Sequence, residues 1–431
     1  MHRQFGPIVR ITPHEVHISD PDFYATIYGG HRDKDPSHFA RLSLTTSSLA
    51  TIEHHLHASR RRPISNYFSK QSIENMEPVI TSKIQKLSTR LQEAHTSGSI
   101  VPLDAAFYAL TADIISEYCY GLRVNYLDDK CFNNGLHKAT KSLSKLSHIM
   151  HFIPCDFLIK SMPDWVLSLI SPSVKAVLDA KESVRAKSKS ILCNQKTQNL
   201  DKRTIFYALN EPGLPPQQRS LEHLVDQGSQ LMGAGVETTG STLKFIMFHL
   251  LHNKSLLVAL RNELMEESQS TRWSDLEKLP YLTGVVNEGL RLFAHHFGRL
   301  TRSAPFETLY YKHWVIPAGT LISASHYYMH MDPQVFPNPH KFSPERWFDV
   351  KENGGQQNSR LVPFGKGTRR CAGQNLALAE LYLVIAGVVR SFDFELFETS
   401  PDDILHYREY QIGFPKKEND GLKVEVTQVF K

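Results

Sequence analysis

The sequence predicts a mainly α-helical fold with a small β component. Apolar residues recur at helical spacing over long stretches, such as residues 72–95 and 220–253. Strand-like alternation is confined to short segments near both ends of the chain and to residues 308–329. Hydrophobic residues make up 41% of the 431 positions, which is enough for a sizeable core. No internal repeat, low-complexity tract or linker is visible, so we expect one domain spanning residues 1–431.

The first half of the chain begins with strands and continues with helices. Residues 5–18 alternate like a strand pair, with "TPHE" as the turn between the two strands. Asp20 is predicted to cap the first helix, with Pro21 at its first position. Helices are then expected to about residue 210. The proline-interrupted apolar segment 151–174 is interpreted as a buried loop, with a membrane-facing or substrate-entry surface as the alternative.

The second half carries long helices followed by mixed structure. Helices are predicted over residues 220–253, 281–293 and about 372–389. Strands surround the turn "IPAGT", and the proline-dense residues 332–350 are expected to be irregular coil. Strands at residues 391–398 and 421–430 are expected to close a small sheet.

Composition excludes several classes of protein. A net charge of +5 with scattered Lys and Arg argues against a nucleic-acid partner. Five cysteines without a CxxC pair argue against a disulfide framework and against a structural zinc cage. No stretch reaches the roughly 20 apolar residues that span a bilayer, and no signal peptide opens the chain. Because "MHRQFGPIVRITPHEVHISDP" is typical of internal sequence, a lost membrane anchor stays open as an alternative.

The most informative stretch is "LVPFGKGTRRCAGQNLALAEL", residues 361–381. It fails the phosphate-loop pattern G-x-x-x-x-G-K-[ST], because position 360 is Arg and Lys366 is followed by Gly367. A nucleophilic cysteine would need a histidine close in space, and nothing local supplies one.

A thiolate metal ligand fits the same stretch well. Cys371 precedes a helix-forming run, whose N-terminal amides and dipole favour an ionised sulfur. The neighbouring glycines let the backbone approach a large flat group. Arg369 and Arg370 add positive charge suited to the carboxylates of such a group.

"FGKGTRRCAG", residues 364–373, resembles the haem-binding signature of the cytochrome P450 family, F-x-x-G-x-R-x-C-x-G, with every fixed position filled. The resemblance implies haem b as the cofactor and Cys371 as the axial ligand of its iron. Phe364 and Gly365 are then cofactor-binding residues of the same loop.

The family also has an E-x-x-R pair, which "NEGLRLF" supplies as Glu288 and Arg291. This spacing puts both side chains on one helical face, but an exposed pair contributes only about 0.2–0.5 kcal/mol. The resemblance implies a third member from "SPERW", Arg346, and a structural network that supports the haem loop.

"AGVETTG" in the long central helix resembles the family's oxygen-activation motif A-G-x-[DE]-T-[TS]. The resemblance implies that Thr238 hydrogen-bonds dioxygen, that Glu237 relays protons from solvent, and that the small residues leave room above the haem. The alternative is a loosely packed helix crossing.

The haem propionates require cations. "LHASRRRP" resembles the family helix that supplies a histidine and an arginine, here His57 and Arg61; the alternative is a solvated basic helix face. "HFGRLTR" supplies Arg299, with Arg302 as the alternative contact, and Arg369 is the fourth candidate.

The implied function is a haem-thiolate monooxygenase that inserts one O₂-derived oxygen atom into a lipophilic small molecule by C–H hydroxylation or epoxidation. "WVIPAGT", "PERWF" and "RSFDFELFET" are similar to filamentous-fungal members of secondary metabolism, including the trichodiene-oxygenase-like group, which implies a terpenoid or polyketide substrate. The alternatives are a reductase-independent haem-thiolate isomerase or dehydratase and a non-catalytic haem-binding protein. Thr238 argues against both of them.

The resemblance also implies partners. Electrons come from NADPH through NADPH–cytochrome P450 reductase, with cytochrome b5 as an optional second donor, and Lys366 and Arg370 could dock an acidic reductase surface. We expect a monomer. The expected location is the cytosolic face of the endoplasmic reticulum membrane if an anchor has been lost, and otherwise cytoplasmic or peripheral.

Overall fold

The computed structural model describes residues 1–36, 44–121, 124–132, 137, 140–142, 144–145, 148, 172–194, 204–266, 270–293, 299–348, 355–410, 413–417 and 421–430. Its α-helices, in chain order, are α1 His2–Phe5, α2 Tyr24–Tyr28, α3 His54–Ser65, α4 Lys70–Glu74, α5 Glu77–Ser97, α6 Leu103–Tyr120, α7 Pro172–Asn194, α8 Ile205–Ala208, α9 Leu221–His252, α10 Lys254–Glu266, α11 Trp273–Leu276, α12 Pro280–Leu292, α13 His326–His330, α14 Gln356–Arg360, α15 Gln374–Ser391 and α16 Pro401–Ile404. Short 3₁₀ turns include Pro21–Phe23, Pro344–Trp347 and Gly367–Arg369.

The strands are short and form four sheets. They are β1 Ile8–Thr12, β2 Glu15–Ile18, β3 Asp33–Lys34, β4 Val101–Pro102, β5 Arg302–Ser303, β6 Leu309–Tyr311, β7 Trp314–Ile316, β8 Leu321–Ser323, β9 Phe392–Leu396, β10 His406–Glu409, β11 Gly413–Pro415 and β12 Lys423–Val429. The largest sheet has the order β1-β2-β8-β5-β3, in which β2 and β8 are parallel and the other neighbours antiparallel. β4-β12-β9 form a second sheet, and β6-β7 and β10-β11 are hairpins.

Helix α9 is the centre of the fold. Its 32 residues give a length of about 48 Å. Ser220 caps its N-terminus by accepting a hydrogen bond from the amide of His223. Leu243 and Ile246 are fully buried on this helix, and they belong to one apolar core that also includes residues of α5, α6, α12 and α15. Each such side chain contributes about 1.5–3 kcal/mol by leaving water, so α9 is held firmly in place as one wall of the site.

Most predicted elements are confirmed, with boundaries shifted by a few residues. The strand pair β1-β2, the Asp20 cap with Pro21 after it, the long helices α5 and α9, and the terminal strands β9 and β12 all lie where they were expected. The mainly helical fold class is thus confirmed. Helix α15 begins at Gln374 rather than Ala372. Segment 151–174 lies outside the described residues, apart from the backbone of the first three residues of α7.

Strands β3, β4, β10 and β11 were not predicted. Two to four residues are too few to show alternation. The partners of β3 and β4 are also distant in sequence, whereas β10 and β11 pair with each other. No single helix among the described residues is both long and apolar enough to cross a membrane. Leu221–His252 and Lys254–Glu266 meet that test only as a pair that is bent by 106°.

Candidate active site

A cavity of about 1120 Å³ lies between α9, the loop before α15 and the five-stranded sheet. Cavities of this size hold cofactors and drug-sized ligands. Cys371, Glu237 and Thr238 all belong to the lining of this cavity. The apolar part of the lining includes Leu44, Leu49, Ile115, Leu231, Met232, Leu290, Phe293 and Leu300.

The loop that carries Cys371 is closed by its own backbone. The amide of Cys371 donates to the carbonyl of Phe364 at 2.8 Å. Gly365 and Gly367 both have positive φ angles, 71° and 73°, which glycine adopts without strain. A Cβ at Gly367 would also lie 2.0 Å from the carbonyl oxygen of Tyr28, so only glycine fits there. The signature glycine at this position therefore lets the loop pack directly against α2.

The Cys371 side chain is open to the cavity although it lies deep in the protein. Burial raises the pKa of this thiol, and the Gly373 amide and the positive charge of Arg61 oppose that rise. The expected stabilisation of the thiolate by the following helix is present, but the desolvation of the sulfur outweighs it in the protein alone. A cation bonded to the sulfur would favour the thiolate further.

Basic side chains converge on one edge of this cavity. They come from β3, α3, β5 and the cysteine loop, and they are Lys34, His57, Arg61, Arg302 and Arg369. In the β3-β5 ladder Lys34 lies directly opposite Arg302, a like-charge pairing that destabilises a sheet. The pKa of Lys34 is held well below its usual value by burial and by the charges of Arg302, Arg369 and Arg61. For the same kind of reason the pKa of His57 falls to about 3.

Such a cluster is unfavourable unless anions lie beside it. Two buried donors at the same edge, the Tyr24 hydroxyl and the Arg369 Nε–H, have no hydrogen-bond partner in the described part of the chain. The other two nitrogens of Arg369 donate to the carbonyls of Thr51 and Ile52. A haem brings two propionate carboxylates. The residues present therefore fit that group, with the thiol of Cys371 towards the iron.

The two candidate arginines after α12 lie in different surroundings. Arg299 lines the cavity, but its side chain is about half exposed and its Nε lies 3.5 Å from Glu15 Oε1. Arg302, the alternative, is buried at 5% exposure inside the cationic cluster. The geometry favours Arg302 as the propionate contact, and Arg299 stays a prediction.

We expect Arg302→Leu to weaken haem binding more than Arg299→Leu does. A hydrogen bond to a charged group contributes about 1.5–3 kcal/mol, so haem dissociation should be faster by about 10–100-fold. The measurement is the rate of haem transfer from each variant to excess apomyoglobin. A larger increase for Arg299→Leu would instead support Arg299 as the propionate contact.

Glu288 and Arg291 form a fully buried ion pair on α12. Arg291 donates to both carboxylate oxygens, at 2.7 and 2.9 Å, and neither side chain is exposed. Arg346 donates to Glu288 Oε1 at 3.0 Å, as the resemblance implied, and the Trp347 indole donates to Oε2 at 3.0 Å. The buried carboxylate is thus fully hydrogen-bonded, which is the condition under which a buried charge is tolerated.

This network reaches the cysteine loop through His330. Arg291 Nη1 donates to the carbonyl of His330 at 2.8 Å. The ring Nε2 of His330 accepts a hydrogen bond from the amide of Val362 at 2.9 Å, two residues before Phe364. Burial holds the pKa of His330 well below its usual value, so the ring stays neutral and able to accept. The network therefore supports the entry to the haem loop.

Glu237 and Thr238 lie one after the other on α9. The Thr238 hydroxyl is exposed to the cavity and donates to the Ala234 carbonyl at 2.7 Å, which leaves its oxygen able to accept. Glu237 is buried; its Oε2 lies 2.6 Å from His137 Nδ1, and its Oε1 accepts from Ser241 at 3.1 Å. The structure thus puts an acid and an alcohol on one wall of the cavity.

Sequence reasoning missed Lys34, Tyr24, His137 and Trp347. Lys34 sits on a two-residue strand whose partner Arg302 is far away in the chain, so no local pattern could show the pairing. Trp347 directly follows the predicted Arg346, and the "PERWF" stretch could have drawn attention to it. The sequence next to His137 does not indicate a role for it, because its partners lie on α6 and α9.

Comparisons with known proteins agree with this geometry. The sequence profile of the cytochrome P450 family matches residues 1–421. The chain is 48% identical over 435 residues to conidiogenone synthase PchP450 of Penicillium rubens, covering 100% of this chain and 88% of that protein. It is 38% identical to cytochrome P450 monooxygenase claJ of Penicillium crustosum, over 98% of this chain and 99% of the relative. It is 39% identical to cytochrome P450 monooxygenase TRI4 of Fusarium sporotrichioides, over 96% of this chain and 82% of the relative.

These relatives are fungal proteins, as the resemblance predicted, and the predicted kinship with the trichodiene-oxygenase-like group is confirmed. The match spans nearly the whole chain rather than the cysteine loop alone. The chain belongs to the cytochrome P450 family, which makes it a haem-binding oxygenase.

Proposed function

We propose that this enzyme is a monooxygenase that inserts one atom of O₂ into a lipophilic terpenoid or polyketide. The observation that carries the proposal is one cavity, lined by apolar side chains, that joins a thiol, a cluster of cations and an acid–alcohol pair. The names of the relatives, which include a conidiogenone synthase and several monooxygenases, support the same class of reaction.

Each group of residues has a distinct task in this proposal. Cys371 would hold the iron, and Lys34, His57, Arg61, Arg302 and Arg369, which line the same cavity, would hold the propionates. When bound, the haem supplies the reductive activation of dioxygen, in which the substrate gains one oxygen atom and the other leaves as water. The net reaction consumes one O₂, two electrons and two protons.

Residues of α9 deliver protons to the cavity in this proposal. Two protons must reach the cavity in each turnover, while bulk water is kept away from the substrate. Glu237 is a buried residue of the cavity lining, and its carboxylate is proposed to release a proton towards the cavity and to recover one from behind. The Thr238 oxygen is exposed to the cavity and can accept a hydrogen bond there, at the end of the hydrogen-bonded chain that carries the proton. The apolar side chains around them orient a lipophilic substrate by burial.

The electrons are proposed to come from NADPH through NADPH–cytochrome P450 reductase, with cytochrome b5 as an optional second donor. Lys366 and Arg370 lie on the cysteine loop next to the thiol and suit an acidic partner surface. The proposed location is the cytosolic face of the endoplasmic reticulum membrane, where that reductase would be met, and the proposed state is a monomer.

The direct test supplies ¹⁸O₂ to the holoenzyme, reconstituted with a fungal reductase and NADPH. The substrate is found first, by comparing the metabolites of a fungal host with and without the gene. We expect a product that carries one ¹⁸O atom. A product without ¹⁸O, or one formed without NADPH, would instead indicate the isomerase or dehydratase alternative.

Thr238→Ala is expected to lower the yield of product per NADPH several-fold while NADPH is still consumed. The reason is that the proposed proton path would lose its hydroxyl in the cavity wall, so that electrons from NADPH would reduce O₂ without oxidising the substrate. Thr238→Ser keeps a hydroxyl at this position and should recover most of the coupling. Unchanged coupling in Thr238→Ala would remove the hydroxyl from the proposed route.

A further inference from the structure

Glu237 also contacts a residue that does not line the cavity. Its Oε2 lies 2.6 Å from Nδ1 of His137, a short contact typical of a charge-assisted hydrogen bond. Glu237 lines the cavity, whereas His137 is not among the described residues that line it. The carboxylate therefore connects the cavity with a histidine behind it.

The position of His137 is set by Tyr108 on α6. The two rings are stacked, with centroids 3.7 Å apart and planes inclined by 13°. The Tyr108 hydroxyl lies 2.7 Å from Ser241 Oγ, and Ser241 donates to the other oxygen of Glu237 at 3.1 Å. A Cβ at Gly240 would lie 2.5 Å from the Tyr108 ring, so the glycine in "TTGS" lets this ring lie against α9. The four side chains form a closed ring, referred to below as the His137 ring.

Access to solvent increases along this ring away from the cavity. The Glu237 side chain is 7% exposed and the His137 side chain is 20% exposed. Tyr108 is almost fully buried. Of these three groups, the imidazole is the most exposed.

Other charged groups face the same region from α6 and α9. Asp104 has a pKa raised by burial and lowered in part by the charges of Lys244 and His137. Tyr108 has a pKa raised well above its usual value by burial and by the negative charges of Glu237 and Asp104, with the Ser241 hydrogen bond opposing the rise. The charged groups that face the His137 ring from these two helices are thus Asp104, Glu237 and Lys244.

We propose that His137 is the proton carrier behind Glu237, taking each proton from solvent and passing it to the Glu237 carboxylate. The inference rests on the proton-donating role that the proposed function gives to Glu237. The ring takes up a proton at Nε2 as Nδ1 releases its proton to Oε2 of Glu237 along the 2.6 Å contact. Proton exchange with water on the exposed part of the ring then moves the ring proton from Nε2 back to Nδ1 before the next transfer. Two such transfers supply the two protons of a turnover, and the two electrons come from the reductase.

The same hydrogen bond exists before and after the transfer, with the proton on the nitrogen or on the oxygen. Imidazole suits this task because its ordinary pKa lies near neutrality, and because it can bind a proton at one nitrogen while it releases one at the other. Stacking on Tyr108 keeps the ring in line with the carboxylate. The arrangement thus combines a proton path with a fixed geometry.

The test compares three variants of the reconstituted holoenzyme with reductase and NADPH. His137→Phe keeps the stacking on Tyr108 and removes the proton carrier. His137→Gln keeps a donor to Glu237 but offers no imidazole. His95→Phe is the control, since His95 is an exposed histidine of α5 that contacts the backbone carbonyl of Val426 and does not line the cavity. The probe substrate is the member of a panel of sesquiterpene and diterpene hydrocarbons with the largest spin-state shift on binding.

We expect product per NADPH to fall about 10-fold or more in both His137→Phe and His137→Gln, in keeping with the 10²–10⁴-fold usual for proton-transfer groups. The solvent deuterium isotope effect on product formation should rise in both. His95→Phe should behave as the wild type, and thermal unfolding of all three should be similar.

Glu237→Gln distinguishes a failure of the His137 inference from a failure of the role proposed for Glu237. If it uncouples the enzyme while His137→Phe does not, the protons reach Glu237 by another path and the inference is wrong, although the role of Glu237 stands. If His137→Gln couples as well as the wild type, His137 only positions the carboxylate, and the relay is also overturned. Normal coupling in Glu237→Gln itself would remove the role of Glu237 and the inference together.

Discussion

Arg291→Ala is expected to destabilise the protein by about 3–5 kcal/mol, the range found when one partner of a buried ion pair is removed. The change leaves the Glu288 carboxylate at 0% exposure without its bidentate partner. It also removes the hydrogen bond to the His330 carbonyl, so the contact from His330 to the haem loop loses its support. Urea unfolding followed by circular dichroism measures the loss, and haem content should fall with it.

The chain contains its own control for this prediction. Glu182 and Arg185 on α7 have the same E-x-x-R spacing, with Nε and Oε2 3.3 Å apart, but their side chains are 67% and 38% exposed. Arg185→Ala should cost no more than about 0.5 kcal/mol. If the Arg291→Ala protein does not accumulate, Arg291→Lys keeps the charge without the fork of donors and should give a smaller loss. Equal costs for Arg291→Ala and Arg185→Ala would contradict the structural role of the network.

Cys371→Ala is expected to abolish product formation without unfolding the protein. Cys371 supplies the only thiol among the described residues that line the cavity, so the iron would lose its protein ligand. The alanine side chain is smaller than that of cysteine and faces open space, so the fold should tolerate it. The basic cluster should still retain part of the haem. Product formation, haem content and circular dichroism are the measurements.

Two other cysteines serve as controls for the thiol. Cys131 is exposed and does not line the cavity, so Cys131→Ala should keep full activity. Cys119 is buried on α6, where burial raises its pKa well above the usual value and makes it an inert thiol. Measurable product formation in Cys371→Ala would show that another group holds the iron.

Most of the helical framework could be predicted because its cause is local. The apolar spacing that predicts α5, α9 and α15 lies within each helical segment itself, and the cap of α9, Ser220, directly precedes its helix. The thiolate loop could be recognised for the same reason, since all its fixed positions lie within ten residues.

The rest of the site could not be predicted, because it depends on contacts between distant segments. Spacing placed Glu288 and Arg291 on one face but could not show that both are buried and bound to Trp347. Lys34 and Arg302 meet only because two very short strands pair. His137 becomes significant only when α6 and α9 bring Tyr108 and Glu237 to it.

In the proposed enzyme, the thiolate of Cys371 holds a haem iron in this cavity. The most direct test is the absorption spectrum of the reduced, carbon-monoxide-bound protein, compared with that of Cys371→His. We expect the far red-shifted Soret band of a thiolate ligand in the wild type, and a band typical of an imidazole ligand in Cys371→His. A wild-type spectrum without the thiolate band, or a thiolate band that persists in Cys371→His, would contradict it.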